Sequence, residues 1–259
     1  MPEVTTPYEP GTPCWIDLMV PDQRAALDFY RDLFGWQGEI GPEEFGGYSV
    51  CTLKGKPVAG IMKAMSIGDQ PPPPPNWTSY FSSADAAATE AAIRENGGTV
   101  IVPTSEVAAL GRMLVAADPQ GAVFGVWEPL DFRGAEIVNE PGALVWNQLN
   151  TADPEAAARF YRTALGLEAT PIPEMPEFTA FQVMGRTVGG VQGMDNLPPG
   201  TPPHWLVNFA VDDTDRTVDV LVRGGGSVVA PAFDMEKVGR MAVVADPRSA
   251  VFAIVALAS

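Results

Sequence analysis

The amino-acid sequence repeats itself at the scale of a domain. Asp28-Phe-Tyr-Arg-Asp-Leu-Phe-Gly-Trp36 returns as Arg159-Phe-Tyr-Arg-Thr-Ala-Leu-Gly-Leu167. Trp15 and Asp22 ahead of the first copy return as Trp146 and Asp153, 131 positions on. Gly111-Arg-Met113 and Asp118-Pro119 return as Gly239-Arg-Met241 and Asp246-Pro247, 128 positions on. Solenoid units recur every ~20–50 residues, so this period is that of a whole domain used twice. The 259 residues suit that reading, because domains of roughly 100–150 residues can each bury a core. The repeat divides the chain into 1–132 and 133–259, with the join near Asp131–Gly142.

A finer pattern runs inside each half. From Cys14 to Val20, alternation puts Trp15, Asp17 and Met19 on one face and Ile16, Leu18 and Val20 on the other. Asp22 reads as the N-cap of a helix carrying Ala26, Phe29, Tyr30 and Leu33 at helical spacing, and Gly35 ends it. Strands near Tyr48–Leu53 and Pro57–Lys63 follow, then a stiff connector, Pro71 to Pro75. The pattern restarts with strand Thr78–Ser83, helix Asp85–Asn96, strands near Val100 and Met113–Ala117, a turn at Asp118–Gly121 and strand Ala122–Trp127. The second half repeats this from Leu144 to Val255, with Pro154 in the first helical turn. The predicted fold is α+β: four tandem βαβββ modules in two domains, with curved mixed sheets enclosing a concave cavity and helices outside.

Composition removes several function classes. The net charge is −16, with 32 acids against 16 bases. A nucleic acid or an anionic membrane needs a basic face, and Lys and Arg here are scattered singly. No apolar run approaches the ~20 residues of a membrane span. Met1 to Pro10 has neither the basic flank nor the apolar core of a signal peptide, so a cytoplasmic location is expected. Cys14 and Cys51 form no CxxC and read as structural thiols. Gly224-Gly-Gly226 ends a helix and is turn chemistry, and no phosphate loop or nucleophile elbow is present.

Asp22…Phe29-Tyr30…Gly35, its copy Asp153…Phe160-Tyr161…Gly166, and the Asp-Pro turns at Asp118 and Asp246 together resemble the vicinal oxygen chelate superfamily. That superfamily includes glyoxalase I, extradiol dioxygenases, fosfomycin-modifying enzymes and bleomycin-binding resistance proteins. The resemblance covers 14–128 and 144–256, and the length is similar to that of two-domain actinobacterial members. It implies two glyoxalase-like domains. It also implies a divalent metal held by His, Glu or Gln, the ligand types of the best-known members. A site with two histidines and a carboxylate needs two histidines, and this chain has only His204. The first-ligand position is Trp15 in one half and Trp146 in the other. The later ligand positions fall near Thr78 and Gly125, and near Leu206 and Ala253. No metal and no other cofactor is therefore expected; the alternative is an all-carboxylate site, and the acids lie mainly on helices and loops.

Asp17 is the acid expected to face the first cavity, where an apolar setting would raise its pKa and suit it to proton transfer. The alternative is a salt bridge to Arg112. Gln148 takes the same place in the second half, so the two cavities are unequal. Arg112 and Arg240 read either as clamps for an oxyanion or as structural arginines pinning a loop. His204, the counterpart of Asn76, reads as a general acid or base at a cavity mouth or as a turn residue. Asn147, Gln148, Asn150 and Asn208 read as an amide lining for the second cavity. Trp15, Trp77, Tyr80, Phe45, Trp146 and Trp205 are candidate aromatic contacts for a flat ligand. Gly41–Gly47 and Pro171–Glu177 read as flaps.

These residues predict a metal-independent protein performing acid/base chemistry, such as cyclisation or isomerisation, on a small aromatic, polyketide-like molecule from antibiotic biosynthesis. The alternative is an antibiotic-sequestering resistance protein without chemistry, and a third reading has both cavities closed by side chains. Either a monomer or a homodimer is compatible with paired halves in one chain.

Overall fold

A computed structural model describes residues 3–66, 72–173 and 175–258. The first half runs β1 (Pro13–Val20), α1 (Gln23–Phe34), β2 (Ser49–Leu53), β3 (Lys56–Lys63), β4 (Asn76–Ser82), α2 (Ala86–Glu95), β5 (Thr99–Val107), β6 (Gly111–Ala117) and β7 (Val123–Pro129). The second runs β8 (Leu144–Asn150), α3 (Pro154–Leu165), β9 (Glu168–Pro171), β10 (Phe178–Val183), β11 (Arg186–Gln192), β12 (His204–Ala210), α4 (Thr214–Arg223), β13 (Ser227–Met235), β14 (Gly239–Ala245) and β15 (Val251–Leu257). Of the segments named from sequence, Pro71 in the proline connector and Glu174 in the second flap lie outside the described residues.

Each half forms one mixed sheet, in the orders β2-β3-β1-β4-β7-β6-β5 and β13-β14-β15-β12-β8-β11-β10-β9. The two modules of a half meet at its centre, where β1 lies antiparallel to β4 and β8 antiparallel to β12. Where the first module makes only the bridge Gln37–Thr52 and so falls one strand short of the expected βαβββ, the second half has strand β9, paired with β10 at an edge. It is four residues long, too short to show alternation in the sequence. The expected α+β class is present, with two modules in each half.

Among the described residues, all four α-helices start on an aspartate. Asp22, Asp85, Asp153 and Asp213 each accept a hydrogen bond from the backbone N–H three residues on. Gly35 and Gly166 close α1 and α3 with φ of 76° and 72°, a left-handed turn that glycine adopts without Cβ strain.

The helices lie on the face of each sheet opposite its concavity, and that face is turned toward the other half. Ile16, Leu18 and Val20 of β1 and Phe29, Tyr30 and Phe34 of α1 share a core with Val207, Phe209, Leu221, Phe252 and Ile254 of the second half. A second core joins Phe81, Ile93, Leu114 and Phe124 to Phe160, Tyr161, Phe181 and Trp205. One sheet with two helices leaves its helix-bearing face incompletely covered, and the face of the other half covers it. The concave faces therefore point away from each other.

Two reciprocal hydrogen-bonded pins cross this junction. Trp77 Nε1 donates to Tyr30 Oη (3.2 Å), which donates to Asp246 Oδ2 (3.3 Å). In the copy, Trp205 Nε1 donates to Tyr161 Oη (2.8 Å), which donates to Asp118 Oδ2 (3.2 Å). The other oxygen of each aspartate orders its own turn, accepting from the N–H groups of Arg248 and Ala250, or of Gln120 and Ala122. Each half thus supplies the tyrosine and tryptophan of one pin and the aspartate of the other. The Phe-Tyr and Asp-Pro motifs that reveal the repeat are the residues of this lock.

Among the described residues no helix is long and apolar enough to cross a membrane. One buried hydroxyl, Thr151 Oγ1, has no hydrogen-bond partner among them. Its counterpart in the first half is Val20, buried in the apolar core. Thr151→Val is expected to raise stability by about 1 kcal/mol, read as a melting temperature about 2–4 °C higher. A lower melting temperature would mean that the hydroxyl does have a partner.

Candidate functional site

Alternation along the strands decides which candidates share a surface. Trp15, Tyr80 and Trp127 lie on the concave face of the first half, in a cluster with Cys14 and Ala135. Tyr8, Tyr48, Met113 and Phe132 pack against it. The segment joining the halves helps to cover this face. Ala135 N–H donates to Cys14 O (2.8 Å), Trp127 Nε1 to Phe132 O (2.8 Å) and Tyr8 Oη to Ala135 O (2.7 Å).

Asp17 lies in the floor, 5% exposed, beside Thr78 on β4 and Gly60 on β3. Tyr48 Oη donates to Asp17 Oδ2 (3.3 Å) and accepts from Trp15 Nε1 (2.7 Å). Burial pushes the Asp17 carboxyl up to about 7, and hydrogen bonds from Tyr80 and Tyr48 offset only part of that rise. Both tyrosine hydroxyls are held well above their ordinary range by burial and by the Asp17 charge. The phenols reach the acid because their neighbours are glycines. A Cβ on Gly60 would lie 1.8 Å from Tyr48 Oη, and one on Gly125 would lie 2.1 Å from the Tyr80 ring.

The expected ion pair between Asp17 and Arg112 does not form. Arg112 has the parity of Leu114 and Ala116, which face the core, and so projects from the helix-bearing face. It pairs with Glu128 (3.1 Å) and Glu106 (3.6 Å), and Glu128 also accepts from the first N–H of α2. Arg240 repeats this at the other end, paired with Asp215 (2.6 Å) and Asp234 (3.2 Å). Both guanidiniums tie a strand edge to a helix start or a neighbouring strand, and neither is brought to the acid.

Trp77 and Trp205 are likewise not concave contacts, since their rings fill the two inter-half cores. Asn147 also points inward, its Oδ1 accepting from Ser79 Oγ (2.6 Å) between the two sheets. Phe45 sits in a 3-10 turn, Glu43–Phe45, and is 44% exposed. Tyr48, at the end of that flap, was missed from sequence. Its signal is the glycine at position 60, which leaves room for a ring.

The concave face of the second half carries Trp146, Gln148, Asn150, His204 and Asn208. Trp146 Nε1 donates to Gln148 Oε1 (2.9 Å), and Asn208 Nδ2 donates to Leu206 O (3.1 Å). His204 Nδ1 lies 2.8 Å from Pro202 O. A carbonyl only accepts, so Nδ1 donates to it and Nε2 faces Asn150. Asn150 Nδ2 donates to that Nε2 (3.1 Å), and Asn150 Oδ1 accepts from Gln192 Nε2 (2.7 Å). The lone pair a general base would use is engaged. Gln192, also missed from sequence, is the counterpart of Met62. A groove of about 420 Å³ runs past Trp146 between the N-terminal segment and β11.

Residues 14–126 match the family model described as Glyoxalase/Bleomycin resistance protein/Dioxygenase superfamily, and residues 146–255 match Glyoxalase-like domain. CFP32 of Mycobacterium tuberculosis (strain CDC 1551 / Oshkosh) is 39% identical, with 95% of each chain covered. The anthracycline biosynthesis protein DauV of Streptomyces sp. (strain C5) is 36% identical, covering 97% of this chain and 95% of that one. DnrV of Streptomyces peucetius, also described as an anthracycline biosynthesis protein, is 37% identical over the same shares. Among solved structures, the Mn(II)-bound glyoxalase of Novosphingobium aromaticivorans superposes with a TM-score of 0.65 at 15% identity, covering 95% of this chain and 82% of that one. The 2,3-dioxygenase LapB of Pseudomonas sp. KL28 gives 0.63 at 13% identity, covering 96% and 92%. At these identities the structures share the fold alone.

The residues of the two concave faces do not fit a divalent ion. The first offers one carboxylate among phenols and indoles, and the second offers amides and one engaged imidazole. Among the described residues no three of His, Cys, Asp and Glu gather closely enough to share a metal.

Proposed function

Because this chain belongs to the Glyoxalase/Bleomycin resistance protein/Dioxygenase superfamily, we propose that it is a metal-independent member that performs acid/base chemistry on a small aromatic, polyketide-like molecule. The observation that carries this reading is the Asp17 carboxyl, buried without a cationic partner in the concave floor of the first half, between Trp15, Tyr48 and Tyr80. A carboxyl held near neutrality both takes and returns a proton at working pH. Asp17 removes a proton from carbon beside a ligand carbonyl, and the hydroxyl of Tyr80, released as the carboxylate takes that proton, holds the enolate oxygen until the proton returns. The anthracycline biosynthesis relatives support an aromatic polyketide as the class of molecule.

The test needs no known product. With 1,8-dihydroxyanthrone in D2O, the protein is expected to speed exchange of the ring CH2 hydrogens above the buffer rate. Asp17→Asn should lose about 100-fold or more of that acceleration, the usual contribution of a general base. Wild-type exchange at the buffer rate would overturn the reading.

A second reading, binding without chemistry, is favoured by the non-ionising amides Gln148, Asn150 and Asn208 beside half-buried Trp146. A polyketide that binds tightly and returns unchanged, with no deuterium, would select it.

A further inference from the structure

A ring from the chain's own flap lies on the first concave face. Tyr48 ends the glycine-rich stretch Gly38–Gly47, whose Ile40 and Phe45 are 46% and 44% exposed. Its ring lies over Gly60, where a Cβ would fall 2.3 Å from Cζ. Its hydroxyl accepts from Trp15 Nε1 at 2.7 Å and donates to Asp17 at 3.3 Å. All three contacts come from β1 and β3, which are parallel neighbours in the sheet, while the ring enters from a loop.

The second half lacks this arrangement. By strand register the counterpart of Tyr48 is Phe178, which has no hydroxyl, and Trp146 of β8 itself lies against Gly190. The indole N–H of Trp146 is engaged by Gln148 of its own strand. Among the described residues, only the first half therefore has a donor, an acid and a glycine all met by one ring from a loop.

We propose that Tyr48 holds the place of a phenolic ligand: a hydroxylated aromatic ring lies over Gly60, with its hydroxyl between Trp15 Nε1 and Asp17, once Tyr48 swings out with the flap. The inference rests on the reading that this face takes an aromatic molecule, and it names the group recognised. Trp15 requires an acceptor and Asp17 a donor, and a phenol hydroxyl is both. A carboxylate would meet the Asp17 charge, and a plain hydrocarbon ring would leave the indole N–H unpaired.

The test is calorimetric titration of Tyr48→Ala with phenol and with toluene, on protein that retains a cooperative melt. Phenol is expected to bind about tenfold tighter than toluene and about tenfold tighter than it binds wild type. Adding Trp15→Phe should erase the preference over toluene. If Tyr48→Ala does not fold, Tyr48→Phe decides. Its ring has no hydrogen bonds to give up, so phenol should displace it more readily than in wild type. Equal affinity for phenol and toluene, or no binding by folded Tyr48→Ala, overturns the inference, as does a Tyr48→Phe affinity no better than wild type. The anthrone exchange measurement judges the wider reading separately. Exchange without phenol preference leaves that reading standing and removes this inference, and the converse does the reverse.

Discussion

At pH 8 the Asp17→Asn variant is expected to melt roughly 10 °C above the wild type, although it replaces a group of the candidate site. Burial holds the folded-state carboxyl near 7, against an ordinary value of 3.8. Between those values the folded chain keeps a proton that the unfolded chain has released, so stability falls as pH rises through the window. The contribution of the protonated carboxyl is full below about pH 4 and is lost as pH rises through about 7. Above that, the folded state carries a buried charge costing about 4 kcal/mol, from three pK units at about 1.36 kcal/mol each. Asparagine stays neutral in both states and still accepts from Tyr48. Asp118 and Asp246 are also raised by burial, but they slope both proteins alike, so the difference isolates Asp17. Melting curves from pH 4 to pH 9 should converge at the acid end and separate by pH 8. Parallel curves would show an ordinary carboxylate and remove the group on which the acid/base reading stands.

Breaking either pin is expected to cost about 2–4 kcal/mol, because a phenylalanine leaves both an indole N–H and an aspartate oxygen buried without a partner. Tyr161→Phe removes the acceptor of Trp205 Nε1 and the donor to Asp118. Tyr30→Phe does the same to Trp77 and Asp246. The two pins sit in different cores, so the losses should add within about 0.5 kcal/mol in the double variant. Each core draws on both halves, so urea unfolding should remain a single transition in the wild type and in both variants. A loss below about 0.5 kcal/mol in either single variant would show that the pins carry no stability.

Much of the scaffold was legible in the chain. The repeat, the element order and the aspartate caps follow from spacing alone, because helices and strands have fixed periods. The most visible residues of the repeat serve the junction and not a ligand site. Phe-Tyr and Asp-Pro recur because the lock between the halves is built twice, and that lock uses Trp77 and Trp205, which look like ligand contacts when read singly. Arg112 recurs for a similar reason, bracing β6 against the start of α2. Its parity with Leu114 was present in the sequence and places it on the core side of β6. Tyr48 left no periodic trace because it meets Asp17 from a loop 31 residues away, and loop reach has no period; Gly60 was its one mark.

The sequence by itself determined the duplication, the two faces of each strand, the acidic charge and a donor inventory with a single histidine. Those depend on residue identity and local geometry. Only the tertiary structure decided which face is concave, because that choice is made where the helix-bearing sheets of the two halves cover each other. Once those faces are buried, Asp17 is left on the opposite one, away from Arg112 and beneath Tyr48 and Tyr80, and its chemistry follows from that company.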